Sequence, residues 1–141
     1  MGLRRFPTLL LVLAFVFALG CIGKEPGVGD TANLGSLKVT LKDVSIKDEE
    51  WFGKHLVVRI GVKNTGGTTA FIGMGMLDGY IQDDQGKVYR STRRAVPEGG
   101  WKDTLEPGES RDILIYFSPN TPAKNVKLFI KYGNARIAFK L

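Results

Sequence analysis

Few residues in this chain have the types and spacing that chemistry requires. The only cysteine, Cys21, closes a long apolar run, and a lone thiol there has no disulfide partner. The only histidine, His55, stands between "WFGK" and an apolar strand pattern, and no nucleophile and orienting group accompany it as base catalysis needs. It reads as a strand-edge residue. Met74 and Met76 lie two apart, hence on one strand face, and thioether sulfur suits Cu(I), with His55 as a third ligand. That set defines an exported copper carrier as the alternative reading. The carboxylates Asp48, Glu49, Glu50, Asp83 and Asp84 fall in turn-like segments, where acidic residues are solvated, and no loop spaces its ligands for calcium. No glycine loop has a phosphate-cradling pattern leading into a helix. Trp101 sits among Arg93, Arg94 and Lys102 in a loop rich in glycine and charge. Such a set could stack on a sugar or anchor a protein partner. The plainer reading folds Trp101 back over one end of the domain.

The cysteine is the most informative of these. Arg4 and Arg5 begin a segment whose residues 9–19 are all apolar, followed by Gly20 and Cys21. Basic start, apolar middle and small residue before a cleavage point are the parts of a secretory signal. The apolar stretch is shorter than the roughly 20 residues of a spanning helix. "ALGC" resembles the lipobox of bacterial and archaeal lipoproteins, with Ala18 and Leu19 in the reverse of the usual order. The resemblance implies that the Cys21 sulfur takes up a diacylglycerol group and, after cleavage, becomes the N-terminus. An uncleaved anchor over residues 6–22, or cleavage with release, also places the remainder outside the cytoplasm.

The elements that must position any site come next. Residues 22–35 hold four glycines and a proline without apolar period, and read as a flexible tether. After Gly35 the period becomes two. Leu37, Val39 and Leu41 alternate with polar residues, and the phase slips at Asp43 before Val44 and Ile46, which predicts a bulge or break. Leu56, Val58, Ile60 and Val62 share the next face, and the strand stops at Asn64, whose side chain should bond the following turn. Residues 83–86 close a hairpin, residues 92–110 read as a long loop, and Pro107-Gly108 presets a β-turn. Alternation returns at Ile113, Ile115 and Phe117, at Val126, Leu128, Ile130 and Tyr132, and, after a tight turn at Gly133 and Asn134, at Ile137, Phe139 and Leu141. Seven to eight short strands and no amphipathic helix predict an all-β sandwich with an immunoglobulin-like layout. The expected organisation is a signal over 1–20, a lipid-attached tether over 21–35 and one domain over 36–141. With no disulfide available, that domain must rest on its apolar core.

Three stretches, "VKNTG", "DDQGKVY" and "LEPGES", resemble the immunoglobulin-like domains of unknown function found in many bacterial and archaeal lipoproteins. The matching residues are Asn64, Thr65 and Gly66; Asp83, Gly86 and Tyr89; and Leu105, Pro107, Gly108 and Glu109. The resemblance spans residues 37–141 and implies a fold rather than an activity. Net charge is +6, and +4 once Arg4 and Arg5 are removed with the signal. This mild, dispersed excess suits an anionic surface or glycan and falls short of a nucleic-acid signature. The expectation is a non-enzymatic binding or accessory module without cofactor, held on the outer face of the cell membrane through Cys21. Its partner would be an envelope protein or glycan.

Overall fold

The computed structural model describes residues 25–141 apart from 52, 74, 98 and 99. The signal, Cys21 and Met74 therefore lie outside the described residues. Those described form eleven strands: β1 (Thr31–Leu34), β2 (Leu37–Glu49), β3 (Gly53–Asn64), β4 (Ala70–Phe71), β5 (Leu77–Gln82), β6 (Val88–Arg90), β7 (Arg93–Ala95), β8 (Thr104–Leu105), β9 (Ser110–Phe117), β10 (Lys127–Tyr132) and β11 (Ala135–Lys140). One antiparallel sheet has the order β1-β2-β3-β9-β7, a second β11-β10-β5-β6, and β4 with β8 makes a short third pair. The two larger sheets pack as the expected immunoglobulin-like sandwich.

Alternation explains the packing. Leu37, Val39 and Leu41 of β2, Ile60 and Val62 of β3, Ile113 and Phe117 of β9, and Leu128 and Ile130 of β10 are all essentially inaccessible to water. Each such side chain contributes about 1.5–3 kcal/mol by leaving water, which lets the core stand without a disulfide. The phase slip near Asp43 is a bulge: Leu41 pairs with Ile60, Asp43 with Arg59, and Lys42 is the extra residue. Without it Asp43 would oppose the buried Val58; with it Val44 takes that place.

Turn chemistry behaves as read. Gly108, at φ 80°, follows Pro107 in a turn closed by the Glu109 N–H donating to the Glu106 carbonyl at 2.9 Å. Gly86, at φ 86°, ends the 83–86 connection with its N–H on the Asp83 carbonyl. Asn64 is fully buried, and its side chain bonds Gly66, Thr68 and Leu105.

Two expectations need correction, and β9 has a second buried face. The tether does not extend to Gly35. Thr31–Leu34 is a sheet strand paired with β2, and the Pro26 carbonyl accepts the Lys140 N–H, so the folded domain begins about ten residues earlier than composition suggests. The 92–110 loop holds β7 and β8, strands of two or three residues that together with β1 bring the count to eleven. Finally, β9 is buried on both faces: Leu114 and Tyr116 form a small outer cluster with Val57, against which Ala95 of β7 packs.

Candidate functional site

The residues singled out for chemistry are not brought together. His55 lies near the start of β3, its ring edge-on to Tyr116 with centroids 5.9 Å apart. Met76 sits in the turn before β5, where its carbonyl accepts the Gly133 N–H. Tyr132, beside that glycine, touches Gly35, which adjoins Leu34 and Leu37; Leu37 pairs with Asn64 at the far end of β3. Nine residues of strand, about 30 Å, separate the two ends. His55 and Met76 therefore cannot ligate one ion. Among the described residues no three His, Cys, Asp or Glu side chains form a metal-holding group either.

The proposed loop set disperses too. Arg93 and Arg94 alternate on β7. Arg93 lies 3.9 Å above the Tyr116 ring and pairs with Glu49 at 2.9 Å, while Arg94 pairs with Asp78 of the other sheet at 2.8 Å. Burial raises the Tyr116 phenol pKa and the Glu49 charge adds to this, although Arg93 opposes it. Trp101 is half-buried against the core, its Nε1–H donating to Asp103 Oδ1 at 2.8 Å. The plainer reading of Trp101 as an end cover is the one its packing matches. Lys102 is exposed, and its carbonyl accepts a bond from Arg111.

A different set assembles on the outer face of the four-stranded sheet. Inward residues of β5, β10 and β11 fill the core, so their neighbours at period two must face out. Register then stacks them in rows across the sheet. One row is Lys140, Lys127, Gln82 and Val88; the next is Ala138, Phe129, Tyr80 and Arg90; the third is Arg136, Lys131 and Asp78. Tyr80 and Phe129 stack with centroids 5.0 Å apart and planes 13° off parallel. The Arg136 guanidinium lies 4.9 Å from the centre of the Phe129 ring and donates to the Tyr80 hydroxyl at 2.8 Å. An open groove of about 420 Å³ runs over this surface, lined by Tyr80, Gln82, Arg90, Ser91, Lys131 and Arg136 among others.

Charge on this face is lopsided. Among the described residues of these three rows Asp78 is the only carboxylate, and Arg94 and the Ser91 hydroxyl already occupy it. Lys127 is matched by Glu25 at 2.7 Å. Among the described residues, Arg90, Lys131, Arg136 and Lys140 have no carboxylate within ion-pair distance. On the opposite outer face Asp112 receives Lys42 at 2.6 Å and Arg59 at 2.6 Å, while Lys38 and Lys63 stand opposite each other on β2 and β3 with no described carboxylate in ion-pair range. Burial pushes the Asp112 carboxyl up, but Lys42 and Arg59 outweigh it and hold the pKa below its ordinary value. Sequence reading missed the basic face because its members come from four strands. The available signal was a basic or aromatic residue at every outward position of "KLFIKY".

Fold and surface together define an all-β sandwich with a polar, cation-rich groove on one sheet. Residues 26–137 match the family model described as DUF4352, domain of unknown function, and the chain belongs to that family. No curated protein matches its sequence. The fold is similar to that of an uncharacterised β-sandwich protein from Clostridium difficile 630 (14% identity, 84% of this chain and 95% of that one, TM-score 0.58). It is also similar to MPT63, a secreted protein from Mycobacterium tuberculosis (14% identity, 82% and 95%, TM-score 0.59). The yjhA protein from Bacillus subtilis is a third relative in fold (17% identity, 82% and 98%, TM-score 0.56).

Proposed function

We propose that this chain is a membrane-tethered, extracytoplasmic binding module without enzymatic activity, and that it holds an anionic glycan on the outer face of its four-stranded sheet. The observation that carries the reading is the set Arg90, Lys131 and Arg136 around the stacked Tyr80 and Phe129, with no free carboxylate to neutralise it. Planar guanidinium groups suit carboxylate pairing, and aromatic side chains supply contact area for a sugar ring. The apolar run before Cys21 supports export and lipid attachment, and a secreted relative in fold agrees with a place outside the cytoplasm. The separation of His55 from Met76 disfavours the copper carrier.

The test is affinity for a carboxylated polysaccharide against a neutral one of similar length. Carboxylated polymer should bind with an affinity that falls as salt rises, and the neutral one weakly. Replacing Lys131 and Arg136 by glutamine should weaken binding at least about tenfold, since two charge-assisted contacts each carry a kcal/mol or more. Lys102→Gln, away from the groove, should change nothing. Equal binding by wild type and the double variant refutes the face. Incorporation of a labelled fatty acid, lost in Cys21→Ser, tests the tether separately.

A further inference from the structure

We propose that the tip of the β2–β3 hairpin, with Trp51 and the nearby Ile46, rests in the headgroup region of the same bilayer that holds Cys21. This rests on the tether reading above and adds a second membrane contact that fixes the domain's orientation.

Trp51 is 87% exposed and Ile46 58%, the two most exposed large apolar side chains on the described strands and their connections. Such a tryptophan contrasts with Trp101, which folds back and finds Asp103. The hairpin overhangs its sheet: β9 ends at Phe117 opposite Leu56, and β3 continues to Gly53 without that neighbour. β1 likewise pairs with β2 only as far as Thr40.

Chain length ties this tip to the anchor. The Gly29 N–H donates to the Leu41 carbonyl at 2.7 Å, which sets the two residues at one level. Residues 27–30 then turn, the Asp30 N–H donating to the Gly27 carbonyl, and cross to the other sheet, where the Pro26 carbonyl accepts the Lys140 N–H and Glu25 pairs with Lys127. Lys127 and Lys140 end their strands away from Tyr132, on the side toward the hairpin tip. Four residues lead back from Glu25 to Cys21 and eight forward from Leu41 to Glu49. Four extended residues span at most about 13–14 Å and eight about 26–29 Å, so the hairpin projects past this end at least as far as Cys21 can reach. A lipid on Cys21 then brings the bilayer surface to Trp51. Tryptophan prefers the boundary between water and hydrocarbon, with its ring apolar and its N–H wet. Asp48 and Glu50 flank the tip alongside Lys47 and Lys54, and these charges keep the contact shallow.

The full chain, purified from membranes in whatever form the cell leaves it, is reconstituted in phosphatidylcholine vesicles bearing brominated acyl chains. Trp101→Phe leaves Trp51 as the sole tryptophan, excited selectively over the tyrosines, and Trp51→Phe leaves Trp101 at the far end. Should Trp101→Phe fold poorly, the difference between wild type and Trp51→Phe gives the same quantity. Trp51 emission should shift to the blue and be quenched at least about twofold by bromines near the headgroups, with Trp101 unaffected. An unshifted, unquenched Trp51, or equal quenching of both, overturns the proposal. Acyl labelling on the same material keeps the readings apart: labelled Cys21 with unquenched Trp51 refutes only the tip contact. Quenched Trp51 with unlabelled Cys21 upholds the tip contact and refutes the lipid.

Discussion

Asn64 offers the sharpest test of how the sequence holds this fold. Its side chain has no exposed surface. Nδ2 donates to the Thr68 and Leu105 carbonyls, each at 2.8 Å, and Oδ1 accepts the Gly66 N–H at 2.9 Å. One amide thus ties the end of β3 to its own turn and to β8. Asn64→Ala removes three hydrogen bonds and leaves the buried Leu105 carbonyl without this donor. At roughly 1 kcal/mol per bond, the loss is about 3 kcal/mol. In a domain of this size that lowers the melting temperature by about 10–20 °C. Asn64→Asp preserves shape and the Gly66 bond but aims a carboxylate oxygen at two carbonyls. Its folded pKa should therefore lie above the unfolded one. Stability of this variant is then greatest below the unfolded value and falls as pH rises through the folded one, so its deficit should widen from acid to neutral pH. Circular dichroism melts of wild type and both variants across that range supply the data. An alanine variant melting within about 3 °C of wild type would refute the reasoning.

Two more predictions concern the outer face and the far end. Asp112→Asn should cost about 1 kcal/mol at neutral pH, because the carboxylate holds Lys42 across Gly61 and also Arg59. Its folded pKa lies below the ordinary 3.8, so the contribution is present above that value and disappears as pH falls through the folded one; urea titrations of both proteins should converge in acid. Gly73→Ala would drive its Cβ into the Asp103 carboxylate that holds Trp101. The expected result is a loss of about 1–3 kcal/mol and a red shift of the Trp101 emission, read in a Trp51→Phe background.

How much of this was legible depended on whether a feature is local. The bulge at Lys42 showed itself as a slip in apolar phase, which left a bulge or a break open, and the continued pairing with β3 makes it a bulge. Asn64, Pro107-Gly108 and residues 83–86 were legible because turn chemistry acts over four residues. β1 was hidden: "TANL" contributes one buried side chain, Leu34, and its strand state comes from bonds to β2 that no local pattern encodes. β7 was hidden likewise, and with it the burial of Leu114 and Tyr116, which alternation at Ile113, Ile115 and Phe117 left unassigned. The basic groove depends on register between four strands. Phe129 and Tyr80 are neighbours only because Leu128 pairs with Ile81, a fact of tertiary structure.

The two outer faces dispose of their charges differently, and that difference argues for which one meets a ligand. On the five-stranded sheet Lys42 and Arg59 converge on Asp112, and Arg93 is spent on Glu49 and Tyr116. A polyanion there must displace the carboxylates seated on those cations or settle for Lys38 and Lys63, a cross-strand pair of lysines with no stacked aromatic rings beside it. On the four-stranded sheet the acceptor is scarce, and the lowest row is the part already matched, through Lys127 and Glu25. Glu25 stands four residues after Cys21, so this row lies nearest the proposed tether. Lys131 and Arg136 stand four residues farther along β10 and its hairpin partner, about 13 Å from that row. Charges on lipid headgroups are screened beyond roughly 8–10 Å at physiological salt. On the proposed placement of the hairpin tip, the groove would lie where a polymer could pair with its cations while the membrane did not compete for them.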